Sequence, residues 1–139
     1  MSVKLADTQA FVAQLNVQGA RGYRFVTSMV VGKEVGNFYA RDEGSTSEWK
    51  AEAAPTNSTA LRQQLEAQGA LGYRYVSTYR VGSSVSNLYV KDAGKTAMLL
   101  YTLEKEASNS VGILAQANGK GSGGYMMRNT LALNDGTFT

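Results

Sequence analysis

Apolar and polar residues recur along the chain in a pattern that repeats after about fifty residues. Each repeat begins with alternating apolar residues, the period of a β-strand, and continues with apolar residues four apart, which lie on one face of a helix. The helical pairs are Phe11 and Leu15, Leu61 and Leu65, and Ile113 and Ala117. Residues that cap helices precede them, at Asp7 or Thr8, Asn57 or Ser58, and Asn109 or Ser110. The pattern predicts three helices, each preceded by a strand.

The two complete repeats align without a gap. Residues 14–46 and 64–96 are identical at seventeen of thirty-three positions, which we interpret as a duplication. A partial third repeat follows, in which Ile113–Asn118 aligns with Phe11–Asn16 and 121–125 aligns with 19–23. We therefore predict one domain over 1–139, divided into repeat 1 (1–46), repeat 2 (47–96) and partial repeat 3 (97–139).

Each repeat predicts a β-α-β-β unit. The predicted strands are Ser2–Ala6, Tyr23–Val31, Asn37–Arg41, Glu48–Ala53, Tyr73–Val81, Asn87–Lys91 and Ala97–Glu106. Glycines should take special backbone conformations at helix ends (Gly19, Gly69) and before strands (Gly22, Gly72), and hairpin turns are expected at 42–44, 92–94 and 134–136. The predicted fold class is α+β, with duplicated β-α-β-β units, two full and one partial, forming a mostly antiparallel sheet with helices on one face.

Strand alternation divides the side chains of each repeat between two faces. One face is predicted to form the core, together with Trp49. Its members are Tyr23, Phe25, Met29, Phe38, Tyr73, Tyr75, Tyr79 and Leu88. The other face carries a polar, aromatic and basic set at matching positions of both repeats. This set consists of Arg24, Asn37, Tyr39, Arg41, Arg74, Asn87, Tyr89 and Lys91.

Two interpretations of the polar set are open. Tyr, Arg and Asn side chains pair across strands on solvent-facing sheets, and a duplication copies surface residues together with the core. Alternatively, the set is a duplicated contact surface for a ligand or partner, with tyrosine rings for stacking and cations for gripping an anion. A protein or an anionic ligand would fit such a surface.

The composition limits the chemistry. The chain has no cysteine and no histidine, which excludes disulfides and imidazole catalysis and leaves no ordinary ligands for zinc or copper. We predict no metal and no cofactor, and whether the protein is an enzyme stays uncertain, leaning to no. The net charge of +3 and the sequence pI of about 9.2 permit a polyanion partner without requiring one.

Other features of the sequence argue against nucleotide binding, nucleic-acid binding and a membrane location. Gly119–Gly124 has the spacing G-x-G-x-x-G, but it follows a helix and precedes a strand, the reverse of a nucleotide-binding loop. The basic residues are sparse and interspersed with acidic ones, so we do not expect nucleic acid as a partner. No apolar run is long enough to cross a membrane, and the N-terminus does not read as a signal peptide, so a cytoplasmic location is predicted.

The stretches 19–26 (GARGYRFV) and 69–76 (GALGYRYV), each following a helix, resemble a small bacterial domain family of unknown function. Its members carry a helix, then a leucine, two spaced glycines and an aromatic residue that enters a strand. The resemblance covers the helix, loop and first strand of each repeat. It implies a bacterial α+β module and implies no activity or functional residue.

Two hypotheses of function follow. The first is a non-catalytic structural or binding module of bacterial type that uses the polar set as its contact surface. The second is a small enzyme or small-molecule-binding protein, with a site between the repeats built from Tyr, Arg and carboxylates. The edge strands of the partial third repeat could pair with another chain, so a homo-oligomer is compatible with either hypothesis.

Overall fold

The structure of the chain, a computed structural model, describes residues 2–3, 7–41, 46–94 and 98–139. Helices α1, α2 and α3 span Thr8–Ala20, Ser58–Ala70 and Ser110–Ser122. The strands are β1 (Ser2–Val3), β2 (Tyr23–Val31), β3 (Glu34–Arg41), β4 (Ser47–Ala53), β5 (Arg74–Val81), β6 (Ser84–Asp92), β7 (Leu131–Leu133) and β8 (Gly136–Phe138). All strand pairs among them are antiparallel, and the α+β class is confirmed.

All three helices begin with the same side-chain cap. Asp7, Asn57 and Asn109 each accept a hydrogen bond from the backbone N–H three residues later, at 3.0, 2.9 and 2.8 Å. Such a bond satisfies one of the N–H groups that the first helical turn leaves without a partner and contributes about 1 kcal/mol. The capping residues that the sequence indicates are therefore the ones that start the helices.

The chain leaves each helix through a glycine in the left-handed region. Gly22, Gly72 and Gly124 have φ values of 82°, 84° and 85°, a conformation that side chains with a Cβ rarely adopt. The prediction for Gly22 and Gly72 is confirmed. The prediction that Gly19 and Gly69 are the left-handed residues is wrong, because both lie inside their helices.

The described strands form three sheets where the sequence suggested one. The first sheet has the order β1-β3-β2, the second has the order β4-β6-β5, and the third is the hairpin β7-β8. The described part of the predicted strand Ala97–Glu106 does not form a strand. It makes one isolated β-bridge, between Lys105 and Phe138. The predicted turn at 42–44 lies outside the described residues, whereas the turn at 134–135 connects β7 and β8.

The chain forms two compact units. The first comprises 1–54 and 68–99 and holds α1 and the first two sheets. The second comprises 55–67 and 100–139 and holds most of α2, all of α3 and the third sheet. None of the helices in the described part of the chain has the length and apolar character needed to traverse a lipid bilayer.

In the second unit, Asp135 of the β7–β8 turn supports the start of α2. Its carboxylate accepts hydrogen bonds from the backbone N–H of Ser58, at 2.9 and 3.1 Å, and from the Ser58 hydroxyl. The bond from the Ser58 hydroxyl is the main cause that lowers the pKa of Asp135. Asp135 is thus a turn residue that also accepts from an N–H group at the start of α2. Its place in the turn does not by itself predict this second role.

A β-bulge sets which side chains share a face in the first sheet. Phe25 lies opposite Tyr39, but Thr27 lies opposite Phe38, so Val26 is an extra residue in β2. Opposite residues of an antiparallel pair point to the same face, and an extra residue reverses the alternation beyond it. The second sheet has the same irregularity between Tyr75 and Ser77.

This register overturns part of the predicted face assignment. Phe25 shares its face with Tyr39 and Asn37, which the simple alternation placed on the opposite side. Met29 and Phe38, predicted for the core, are 42% and 37% exposed. The prediction assumed an unbroken alternation in each strand, and neither the bulge nor the pairing register can be seen in a local pattern.

The core of the first unit lies where α1 contacts both sheets. The buried residues of this core are Phe11, Leu15, Phe25, Trp49, Leu88 and Val90. The Phe11 ring meets Phe25 of the first sheet edge-on, with centroids 5.6 Å apart. The same ring stacks on Tyr79 of the second sheet at 4.5 Å. Burial of each large apolar side chain contributes about 1.5–3 kcal/mol, so α1 stabilises both sheets together.

Most of the predicted core residues are buried as expected. Phe25, Tyr73, Tyr75, Leu88 and Trp49 are all buried. Of the other two predicted tyrosines, Tyr23 and Tyr79, both are half-buried. The aromatic character of the first unit's core is thus confirmed, although its two faces are arranged differently from the prediction.

Candidate functional site

The structure divides the predicted polar set into buried and accessible residues. Asn37, Asn87 and Tyr89 are buried, with exposed fractions of 0, 2 and 0%, and Tyr39 is half-buried. Arg24 and Arg41 are exposed, and Arg74 and Lys91 are half-buried. The eight residues therefore do not form one open surface.

In the first sheet, the buried polar residues bind α1 to the β2–β3 hairpin. The side-chain amide of Asn37 donates to Oε1 of Gln14 at 3.0 Å, and the Tyr39 hydroxyl donates to the same oxygen at 2.7 Å. Oδ1 of Asn37 accepts from the Ser28 hydroxyl at 2.6 Å. A buried amide without such partners costs about 1–3 kcal/mol, so Asn37 has a structural role.

Burial keeps the Tyr39 hydroxyl protonated. The pKa of Tyr39 is raised to about 12, mainly because burial removes the hydroxyl from solvent. The hydrogen bond with Asn37 lowers the pKa and so offsets part of this rise. The phenol therefore stays protonated at neutral pH and acts as a hydrogen-bond donor to Gln14.

The second sheet contains a matching bond. The Thr78 hydroxyl donates to Oδ1 of Asn87 at 2.8 Å, as the Ser28 hydroxyl does to Asn37 fifty residues earlier. Thr78 also shares a hydrogen bond of 2.9 Å with the Tyr75 hydroxyl. The hydroxyl partners were not predicted from the sequence, although a hydroxyl residue recurs at both positions and could have indicated the pair.

The accessible cations point to different faces. Arg24 lies opposite Ala40, and its neighbour Tyr23 lies opposite Arg41, so Arg24 and Arg41 are on opposite faces of the first sheet. In the second sheet, Arg74 lies opposite Val90 and is separated from Lys91 in the same way. The structure thus places Arg41 beside Tyr23 and Lys91 beside Tyr73.

The first cation–tyrosine cluster consists of Arg21, Tyr23 and Arg41. Both guanidinium carbons lie 5.8 Å from the centroid of the Tyr23 ring, within the range of cation–π attraction. Arg21 and Arg41 are exposed, and Tyr23 is half-buried. Arg21 and Tyr23 are held by the turn at Gly22, whereas Arg41 comes from the end of β3.

The second cation–tyrosine cluster consists of Lys50, Tyr73 and Lys91. The two ammonium nitrogens lie 5.7 and 5.8 Å from the Tyr73 ring centroid. Here carboxylates accompany the cations. The Tyr73 hydroxyl donates to Oε1 of Glu48 at 2.6 Å, and Lys50 forms an ion pair with Glu52 at 2.9 Å. Burial, followed by the bond to Glu48 and its charge, raises the pKa of Tyr73 to about 12.

The two clusters differ in charge compensation. In the second cluster, Glu52 forms an ion pair with Lys50, and Glu48 accepts from Tyr73 and lies opposite Lys91 in the strand register. In the first cluster, Arg21 and Arg41 make no ion pair with any residue that the structure describes. Two exposed guanidinium groups held beside one ring can bind a phosphate, sulfate or carboxylate group, because each presents several N–H donors in a planar fork.

Other candidate sites receive no support within the described ranges. No group of three or more Asp and Glu residues there has the arrangement of a metal site. Gly119 and Gly121 of the glycine-rich motif lie inside α3, not in a loop ahead of a helix. Comparison of the chain with protein-family models, with curated proteins and with solved structures found no match.

Proposed function

We propose that this protein is a non-catalytic binding module that contacts an anionic group of its ligand or partner through the first cation–tyrosine cluster. The observation that carries the proposal is the pair of exposed guanidinium groups beside one tyrosine ring, neither of which forms an ion pair within the described part of the chain. The proposed contact surface is smaller than the predicted polar set. Of that set it keeps only Arg41, and it adds Arg21 and Tyr23.

The arrangement favours binding for two physical reasons. Contact with an aromatic ring restricts the guanidinium groups before the anion arrives, and this lowers the entropic cost of association. The net charge of +3 gives a weak long-range attraction for anions. The second cluster serves as an internal comparison, since it contains two carboxylates, of which Glu52 pairs with Lys50 and Glu48 bonds to Tyr73.

The packing of the first unit weighs against the alternative enzyme. A catalytic site between repeats 1 and 2 would need a cavity lined by polar groups. Where α1 meets the second sheet, the contact is instead mainly apolar and closely packed, with Phe11 stacked on Tyr79 and Leu15 in the same cluster. A bacterial origin and a cytoplasmic location stay predictions from the sequence.

The test is an NMR titration of the full chain with sodium tripolyphosphate as a model polyanion. Saturable shifts of backbone amide signals are expected at residues 21–24 and at Arg41, and they should weaken as salt is added. Changing Arg21 and Arg41 together to Gln should abolish saturation. Arg128→Gln removes one exposed cation of the second unit and is the matched control for the single variant Arg41→Gln, which should weaken the response.

The proposal fails if the double variant responds to tripolyphosphate as the wild-type chain does. It also fails if the Arg128→Gln control loses the response to the same extent as Arg41→Gln, because net charge alone would then account for the binding.

A further inference from the structure

The first sheet has an apolar face that α1 does not cover. We call it the open face. The register places on it Thr27, Met29 and Val31 of β2 with Phe38 and Ala40 of β3. Met29, Val31 and Phe38 are 42, 51 and 37% exposed. Adjacent exposed apolar side chains of this kind mark interaction surfaces more often than isolated ones do.

The second sheet shows what packs against such a face. Tyr79, Leu88 and Val90 occupy in it the positions of Met29, Phe38 and Ala40. There, the helix α1 covers the face. Phe11 of α1 stacks on Tyr79 at 4.5 Å, and Leu88 and Val90 are fully buried in the same cluster.

A polar contact also fixes α1 against the second sheet. The side chain of Asn16 accepts a hydrogen bond from the backbone N–H of Trp49 at 2.6 Å and donates to the carbonyl of the same residue at 3.1 Å. Trp49 lies in β4, an edge strand. The α1 interface therefore combines an apolar stripe with one asparagine that bonds to an edge strand.

Helix α3 also carries apolar residues and an asparagine, on an exposed side. Val111 and Leu114 are 78 and 62% exposed, and Asn118 follows Leu114 at the spacing of one helical turn. In the alignment of the repeats, Leu114 and Asn118 correspond to Val12 and Asn16 of α1. No residue of α3 is buried.

We propose that the open face of the first sheet binds helix α3 of a second copy of this chain. The chain's own interface points to this occupant, because α1 covers the equivalent face of the second sheet. Repeat proteins normally close their terminal repeats with polar surfaces, and here a face of the first sheet and a side of α3 are both apolar. The contact is heterologous, because the two surfaces differ, so it can add chains in series.

The test is sedimentation velocity of the full chain over a range of concentrations, with three variants. The sheet variant combines Met29→Glu with Phe38→Glu, and the helix variant combines Val111→Glu with Leu114→Glu. The control is Val17→Glu, which changes an exposed apolar residue of α1 that belongs to neither surface. Circular dichroism checks the fold, and Met29→Ser with Phe38→Ser replaces the sheet variant if the glutamates unfold it.

The weight-average mass of the wild-type chain and of Val17→Glu should rise with concentration, while the sheet and helix variants should each stay at the mass of one chain. An equimolar mixture of the two variants should form a species of two chains, because one supplies an intact helix and the other an intact open face. Both variants should keep the tripolyphosphate response, since Arg21 and Arg41 are unchanged.

The proposal is overturned if the wild-type chain has the mass of one chain at every concentration. It is overturned equally if the mixture fails to form the two-chain species while the wild-type chain associates, since the association would then use other surfaces.

Discussion

The ring of Phe11 lies nearly parallel to the ring of Tyr79, with an interplanar angle of 11° and centroids 4.5 Å apart. Phe11 belongs to the first helix and Tyr79 to the second sheet, so this contact joins segments from different repeats. It shows that α1 and the first two sheets share one core within the first unit.

Replacing Phe11 by Ala should therefore destabilise the first unit strongly. The change removes the stack with Tyr79 and the edge contact with Phe25 from a fully buried position. We expect a loss of about 3–5 kcal/mol in the free energy of unfolding, measured by urea denaturation. Val17→Ala on the exposed side of the same helix should cost no more than about 0.5 kcal/mol. Equal losses for the two variants would contradict a central role for Phe11.

The second prediction concerns the buried asparagine network. Asn37→Ala leaves the Ser28 hydroxyl and the Gln14 side chain without their shared partner, so we expect a cost of about 1–3 kcal/mol. Since either single variant already removes the bond from the Ser28 hydroxyl to Asn37, the double variant with Ser28→Ala should cost less than the sum of the single variants. Gln63→Ala, on the exposed side of α2, is the control for loss of an amide side chain. Strict additivity of Asn37→Ala and Ser28→Ala would rule out the network.

Gly19 provides a third prediction. A Cβ at this position would overlap the backbone carbonyl oxygen of Ser47 and approach its hydroxyl to 2.9 Å, so α1 and the start of β4 would have to separate. Gly19→Ala should destabilise the chain by about 1–3 kcal/mol in spite of its better helix propensity.

The matched control for Gly19 is another glycine inside a helix. Gly119 of α3 has open space where a Cβ would lie, so Gly119→Ala should stabilise the chain by up to about 1 kcal/mol through helix propensity. Thermal unfolding of both variants measures the difference. A stabilising Gly19→Ala would show that the close approach to Ser47 does not constrain the fold.

The fourth prediction is a loss of stability at high pH. Tyr73 has a pKa of about 12 in the folded protein, against 10.0 for an unperturbed tyrosine. The folded state thus holds a proton that the unfolded chain releases. The stabilisation is complete below pH 10 and is lost as the pH rises towards 12, by an amount on the order of 2 kcal/mol.

Burial is the larger cause of this shift, and Glu48→Gln tests the part that Glu48 adds to it. It removes the negative charge beside the Tyr73 hydroxyl, so the pKa of Tyr73 should move towards 10 and the loss of stability between pH 10 and 12 should become smaller. Tyrosine ionisation is followed by ultraviolet absorbance, and stability by urea unfolding at each pH. Glu66→Gln removes an exposed carboxylate of α2 as a control, and the same change in both variants would exclude a local effect.

Features that depend on a few neighbouring residues could be predicted from the sequence. Asp7, Asn57 and Asn109 cap their helices because a short side chain reaches an N–H only three residues away. Gly22 and Gly72 take positive φ at the same place in each repeat because the chain must turn there from helix to strand.

The candidate site was predicted only in part. Arg41 belonged to the predicted polar set, but Arg21 lies in a turn that gave no sign of its contact with the Tyr23 ring. In the second cluster, Lys50 comes from a strand outside the duplicated segments. Contacts between residues that are distant in sequence depend on strand pairing, and strand pairing has no local signature.

The sequence by itself determined the α+β class, the order of helices and strands in repeats 1 and 2, and the identity of the capping residues, because each follows from local periodicity and short-range hydrogen bonding. Only the tertiary structure decided which sides of the strands are buried. The pairing of Phe25 with Tyr39 puts Asn37 on the face that α1 covers and Phe38 on the opposite face, and the extra residue Val26 places Met29 on the same exposed face as Phe38.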